Sequence, residues 1–247
     1  MRVRFATAGA PGRVNEDCVL AVDGLVAVLD GVTRPAGLDD GCRHGPAWYA
    51  RRLALRLHAA HAAAPGAGLA DLLATAIDAV RGDHGGGCDL ANPATPAATV
   101  CALRESGEYL VLGDSPLVLD AGEGVTVVAD DRFERIAAGL AVHSDKYGHV
   151  NRPGGYWIAA ADPRAAFEAV RGAAPRVRRA ALLTDGASCA ADSYGLLTWA
   201  ELLDLVVAEG PAELIRRVRA EERADPDRAR HPRHKRHDDA TVAVAIR

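Results

Sequence analysis

The stretch from Asn15 to Thr33, NEDCVLAVDGLVAVLDGVT, decides the fold. Two apolar runs, Cys18–Val22 and Leu25–Leu29, flank Asp23-Gly24. An Asp-Gly pair between such runs predicts a hairpin with a two-residue turn. In that register Val22 faces Leu25, Leu20 faces Ala27 and Asp17 faces Asp30. Directly opposed residues on antiparallel strands hold their Cβ atoms about 4.5–5.5 Å apart. Two carboxylates that close repel, and they ionise badly or share a proton unless a cation offsets the charge. The register alone therefore proposes a metal site, with Asp17 and Asp30 as first ligands. The competing reading leaves both acids at a frayed hairpin mouth, pointing into water.

The rest of the chain sets the frame for that hairpin. At 247 residues it has room for one ordinary domain or two small ones. No internal repeat or linker divides it, so a single domain over residues 1–247 is expected. A hydrophobic share of 49% and a charged share of 25% are globular values that supply a large core. The net charge of −4 argues against nucleic acid or an anionic membrane as a partner. The N-terminus has no apolar run long enough for a signal peptide, and no stretch reaches the roughly 18 apolar residues of a membrane span. The five cysteines are an odd number without a C-x-x-C. They read as reduced thiols, and the expected compartment is the cytoplasm. Cys18 and Cys101 fall in apolar strand patterns and read as core residues.

Strands are expected at Arg2–Ala8, in the hairpin, at Ala98–Arg104 with Tyr109–Leu112, at Leu117–Asp120 with Val125–Ala129, and at Gly154–Ala160, Arg178–Leu183 and Ala240–Ile246. Helices are expected from Pro46 to about Ala64, then over Leu69–Val80, Pro163–Val170, Trp199–Glu209 and Pro211–Glu222. Gly31–Gly45, Arg81–Pro96 and Asp130–Pro153 read as loops, the last as an insertion that could flank an active site. His58 and His61 are three apart on the first helix and read as solvated surface residues. Strands arrive as hairpins and helices as pairs, which disfavours a parallel doubly wound sheet. The expected class is α+β: two antiparallel sheets flanked by helix pairs.

Three more acids end apolar strands: Asp114 in LVLGDS, Asp185 in ALLTDG and Asp238 ahead of the last strand in HDDATVAVAI. Acids after strands are common turn formers. Five at strand ends can also converge on one edge of a sheet core, and all-oxygen ligands suit Mg2+ or Mn2+ rather than zinc. No lysine is expected near these motifs, and Arg13 alone cannot neutralise the acids.

These motifs together resemble the metal-dependent serine/threonine protein phosphatases of type 2C. Asn15-Glu16-Asp17 resembles that family's N-[EQ]-D, and VAVLDG at Val26–Gly31 its apolar strand ending in Asp-Gly. Ala98-Thr99-Val100 with Gly113-Asp114-Ser115 is similar to its A-T-x and G-D-S pair. Leu182–Gly186 is similar to its L-x-T-D-G, and Asp238–Val242 to its D-N-x-T-x. The resemblance implies a four-layer α-β-β-α sandwich and hydrolysis of phosphoserine or phosphothreonine in proteins without a phosphoenzyme. It implies two or three Mn2+ or Mg2+ ions. Asp17, Asp30, the Gly31 carbonyl, Asp185 and Asp238 would hold two of them. Asp114 with Asp185 would hold a weaker third, and Glu16 would bind metal-bound water. Asp17, Asp30 and Asp185 are thereby the expected catalytic acids, and a water made acidic by the metals would attack phosphorus in line.

The chain departs from the family pattern at several places. Arg13 is one residue closer to Asp17 than the family's phosphate-binding Arg, and Arg4 is a substitute for it. Val32-Thr33 follows Asp30-Gly31 in place of the family's general acid, Pro116 follows Ser115, and Asp239 stands where Asn is usual. The cluster HPRHKRH at His231–His237 reads as a solvated basic loop that attracts phosphorylated partners. Two alternatives stay open: a catalytically weak phosphoprotein-binding module, or a phosphatase of a small phosphorylated metabolite. The expected partner is a phosphorylated protein, and the sequence does not specify the oligomeric state.

Overall fold

In the computed structural model, which describes residues 1–35, 37–140 and 142–247, the Asp23-Gly24 turn forms with both residues at positive φ, 36° and 76°. That pairing of angles matches the right-handed twist of the strands it joins. The turn connects β2 (Cys18–Val22) to β3 (Leu25–Gly31), paired from Val22↔Leu25 to Cys18↔Leu29. β1 (Arg2–Ala8) precedes them. β3 continues into a sheet with β4 (Ala98–Arg104), β5 (Glu108–Leu112) and a late edge strand, β8 (Val170–Ala173), in the order β2-β3-β4-β5-β8. β6 (Leu117–Asp120), β7 (Val125–Val128), β9 (Arg179–Leu183) and β10 (Ala240–Ile246) join β1 in a second sheet, ordered β1-β10-β9-β6-β7. Every strand pair in both sheets is antiparallel.

Period-two alternation assigns each face. On β3, Leu25, Ala27 and Leu29 pack against α1 (Pro46–Ala63) and α2 (Leu69–Asp83). Val26 and Val28 point the other way, into a layer shared with Leu182, Ala243 and Ala245 of the second sheet. On that second sheet Leu183, Val242 and Val244 turn outward, with α4 (Asp185–Asp192), α5 (Trp199–Ala208) and α6 (Pro211–Ala224) over them. A short α3 (Arg132–Ala137) lies in the insertion between β7 and β8. The result is helices, sheet, sheet, helices. Proline at the first turn opens α1 and α6, where its missing N–H has no partner to lose. A Thr198–Glu201 capping box opens α5.

Four local expectations change. Residues 185–192 form α4, too short and too rich in small residues to show an apolar period. Val170–Ala173 is a strand although it includes a glycine, because the open edge of β5 takes it up. Gly154–Ala160 is not a ladder strand: among the described residues it pairs only at the isolated bridges Ala98↔Ala159 and Val150↔Tyr156, and Tyr156, Trp157 and Ile158 are buried by packing. Residues 163–168 wind as a 3-10 helix. The 130–153 insertion holds α3 and a 3-10 turn at His143–His149, with residue 141 and the His143 side chain outside what is described; residue 36 of the 31–45 loop is likewise outside. No helix among the described residues is long and apolar enough to cross a membrane.

Candidate metal centre

The layer between the sheets is apolar until its last rung, where each inner-facing series ends in a polar residue. On β3 the series Val26, Val28 ends in Asp30; on β4, Leu103 and Cys101 lead to Thr99, which pairs with Asp30. Ala180 and Leu182 on β9 lead to Thr184, and Ala245 and Ala243 on β10 lead to Thr241. Asp17 joins this collar from the start of β2. The Gly31 N–H donates to the Glu16 carbonyl at 3.2 Å, which carries the β2–β3 register two residues past its last strand pair and sets Asp17 opposite Asp30. A side chain at Gly31 would meet that same carbonyl at 2.8 Å, so the close approach needs glycine.

Asp17 is 5% exposed and accepts a hydrogen bond from Thr184 Oγ1 at 3.0 Å through Oδ2. Its Oδ1 is buried without a partner, as is Oδ1 of Asp185. Asp185 is the first residue of α4, directly after Thr184. Asp30 lies within hydrogen-bonding reach of it. The Gly186 that follows lets the helix start against the last strand: a Cβ there would lie 1.9 Å from the Asp239 carbonyl. Asp238 completes the group, and its charge reaches Asp30 and Asp185.

Burial first and mutual repulsion second raise these carboxyls. Asp17 is pushed up to about 7 by burial, its bonds to Thr241 and Thr184 offsetting part of the effect and Asp185 adding to it. Asp185 is pushed up to about 7 by burial, then by Asp238 and Asp114. Asp30 is held well above the usual carboxylate range by burial, then by Asp17 and Asp185. Asp114 rises to about 6 through burial and the nearby Glu134 of α3, with Lys146 opposing. Glu16 is raised by burial, while a hydrogen bond from Thr33 Oγ1 at 2.5 Å works the other way.

Two buried acceptors left without donors, among carboxyls that repel one another, are what a hard divalent cation would satisfy. The donor set is oxygen throughout, which suits Mg2+ or Mn2+.

Solved structures resemble this fold over nearly its full length. A PPM serine/threonine phosphatase from Mycobacterium smegmatis, MsPP, solved with cacodylate, matches with a TM-score of 0.57 at 22% identity over 99% of this chain and 97% of that one. PppA, a regulatory component of the type VI secretion system of Pseudomonas aeruginosa, matches with a TM-score of 0.58 at 19% identity over 99% and 97%. The catalytic domain of the serine/threonine phosphatase PstP, solved with two manganese ions, matches with a TM-score of 0.54 at 18% identity over 99% and 97%. The chain has the fold of the type 2C serine/threonine phosphatases. No protein-family model matches its sequence, and no curated protein does.

Within this type 2C fold two cations were missed in the sequence. Lys235 places Nζ 2.8 Å from Asp238 Oδ1 and 2.9 Å from Thr33 Oγ1. Burial works to neutralise it, but Asp238, with Asp185 and Asp30 behind, outweighs that and holds its pKa above the usual lysine value. Its position three residues before Asp238 in HKRHD was the available signal. Lys146, 7% exposed, comes from the insertion and reaches Asp114 electrostatically; burial lowers its pKa and Asp114 offsets part of that. Arg13 is therefore not alone. Its side chain is exposed at the rim, close enough for its charge to lower Glu16.

Arg4 is no substitute: its guanidinium donates to the Val206 and Val207 carbonyls at the end of α5, on the outer side of the second sheet. His61 is not solvated. It is buried, with Nε2 3.2 Å from the Asp23 carbonyl under the hairpin turn. The basic loop is not free either. Arg233 binds Asp225 at 2.8 Å and His237 Nδ1 lies 2.7 Å from Glu222 Oε2, which anchors the loop to α6 and delivers Lys235 to the acids. Asp239, in the place of the usual Asn, accepts from the Ala10 N–H and the Glu16 N–H, each at 2.7 Å. It thereby fixes the backbone just ahead of Asp17.

Proposed function

We propose that the chain is one phosphatase domain over residues 1–247 that hydrolyses phosphoserine and phosphothreonine in proteins with two or three Mn2+ or Mg2+ ions. The observation that carries this reading is the pair of buried, partnerless oxygens, Asp17 Oδ1 and Asp185 Oδ1, beside Asp30 at the end of the inter-sheet core. Asp17, Asp30, Asp185 and Asp238 would hold two cations, with the Gly31 carbonyl as a further ligand, and Asp114 would share a third with Asp185. The ions would supply Lewis acidity, making a water nucleophilic at neutral pH and offsetting charge on the phosphoryl oxygens.

The chain's own groups then divide the work. Glu16, held by Thr33, orients water at the edge of the centre. Lys235 and Arg13 present cationic donors on the open side and hold the phosphoryl group. Val32 and Thr33 offer no acid, so the leaving alkoxide takes its proton from water. Five free cysteines support a reducing, cytoplasmic setting.

A second reading rests on Lys235. Its ammonium already neutralises part of the acid cluster, as does Lys146, which favours a weakly active module that binds phosphoproteins without metal turnover. Hydrolysis of a phosphothreonine peptide, a small phosphorylated metabolite and p-nitrophenyl phosphate, each with Mn2+ and with EDTA, separates the readings. Peptide turnover that needs Mn2+ is expected. Peptide binding without turnover favours the module, and turnover of the metabolite alone a small-molecule enzyme.

A further inference from the structure

In the loops that follow β3 and α2, three soft donors meet. Cys42 Sγ lies 2.9 Å from Cys88 Sγ and 3.4 Å from His84 Nδ1. All three donor atoms fall within 4.8 Å of one another, the only such group of three among the described residues. His84 is 2% exposed. The residues come from two loops, one following β3 and the other following α2, with Cys42 standing 42 positions before His84 and 46 before Cys88. We propose that Cys42, His84 and Cys88 form a structural zinc site, distinct from the acid centre, that staples these two loops together.

The chemistry of the donors fits zinc. It takes thiolate at about 2.3 Å and imidazole nitrogen at about 2.0–2.1 Å in a tetrahedron. Those bonds separate two sulfurs by about 3.8 Å and a sulfur from a nitrogen by about 3.6 Å. The Cys42–His84 distance is already there. The two sulfurs need to part by about 0.9 Å, which a small χ1 rotation of either cysteine provides. The sequence pattern is Cys-x-His and His-x-x-x-Cys, a chelate spacing at each end. His44 stacks on Trp48 with centroids 3.8 Å apart and lies edge-on to His84 at 5.3 Å, so it packs beside the group.

The surroundings are those of a held ligand set. The His44 N–H donates to Cys42 Sγ at 3.4 Å, the kind of outer contact that orients a metal thiolate. The Cys42 N–H is fixed on Asp40 Oδ1 at 3.0 Å. The Asp89 N–H donates to the Gly41 carbonyl at 2.8 Å, which locks the two loops beside the sulfurs. Gly85 and Gly86, at φ 67° and 73°, take the left-handed turn that brings Cys88 back onto His84. A disulfide would use neither His84 nor the His44 N–H, and both thiols are free. The consequence reaches the acid centre: Arg34 of the same loop pairs with Asp40 at 2.6 Å, and Thr33 beside it bonds Glu16 and Lys235. Zinc at Cys42 would hold that wall of the cleft.

The test is cobalt titration of the reduced, chelator-treated full chain. A thiolate-to-cobalt charge-transfer band that saturates at one equivalent and is displaced by zinc is expected; an all-oxygen centre gives no such band. Cys88→Ser and His84→Ala should weaken binding at least tenfold, and Asp30→Asn should leave the band intact. Should those variants fail to fold, alkylation of the native wild type decides: one equivalent of zinc should protect Cys42 and Cys88 and leave Cys18 reactive. A reduced chain with no cobalt band, a band that survives Cys88→Ser, or thiols that zinc does not protect overturns the site.

Discussion

Asp17 and Asp30 face each other one step past the last strand pair of the β2–β3 hairpin, and the Gly31 N–H on the Glu16 carbonyl closes the rung beyond them. That relation places two carboxyls on the inner face of the sheet pair, where the apolar core has just ended. Water cannot solvate them freely there, so their charge must be met by protons, by Lys235 or by cations.

Replacing one of these acids tests the cation reading. Asp30→Asn or Asp185→Asn should lower Mn2+-dependent turnover at least about 100-fold. The same changes should stabilise the metal-free protein by about 1–2 kcal/mol at pH 8, because one of several repelling charges is gone. Mn2+ at about 100 times its Kd should stabilise the wild type by about 2.7 kcal/mol. A wild-type melting curve indifferent to millimolar Mn2+ and Mg2+ would falsify the two-metal reading.

Metal-free protein should lose stability as pH rises. Asp17 and Asp185 titrate at about 7 when folded and at about 3.9 when unfolded. The folded state binds the protons more tightly, so this contribution is complete below about pH 4 and is lost through pH 7. Melting in EDTA should therefore be at a higher temperature at pH 5 than at pH 8, with saturating Mn2+ reversing the order. A flat profile in EDTA contradicts the burial of these acids.

Lys235 and Arg13 should act on substrate binding. Lys235→Gln should raise KM for a phosphopeptide about tenfold, since a charge-assisted contact to phosphate is lost. It should also lower the Mn2+ concentration needed, because the ion pair with Asp238 at 2.8 Å competes with metal. Arg13→Ala should raise KM too, whereas Arg4→Ala should not, its guanidinium being engaged by the Val206 and Val207 carbonyls. Equal KM for Lys235→Gln and wild type removes Lys235 from the substrate site.

Gly186→Ala tests the packing that brings α4 to β10. The new methyl would meet the Asp239 carbonyl at 1.9 Å, a backbone atom that cannot step aside. Urea unfolding should show a loss of about 3 kcal/mol. A loss below about 0.5 kcal/mol means the close approach is not maintained in solution.

Asp239→Asn tests the carboxylate that replaces the usual amide. Both its oxygens accept backbone N–H groups, from Ala10 and Glu16. An amide can accept only one and turns its NH2 toward the other donor, at a cost of about 1–2 kcal/mol. Urea unfolding of equal midpoint would show that one of the two bonds is not made.

The hairpin register, the strand-end acids and the two-sheet class were legible in the sequence because each depends on local rules. An Asp-Gly turn sets the pairing sum, alternation sets the face, and a polar residue ending an apolar alternation marks the rim of a core. Lys146 and the Cys42–His84–Cys88 group were not legible, although every residue was in view, and Lys235 left only its spacing to Asp238 as a signal. They sit in segments without a period, and their meaning depends on which loop closes over which. Asp225 and Glu222 steer Lys235 inward, and the Gly41–Asp89 contact brings two cysteines together across 46 residues. The sequence by itself determined where the carboxylates gather, through the period of the strands that carry them. Only the tertiary structure decided which cations and thiols meet, because side chains on loops are aimed by long-range hydrogen bonds and packing that no local repeat encodes.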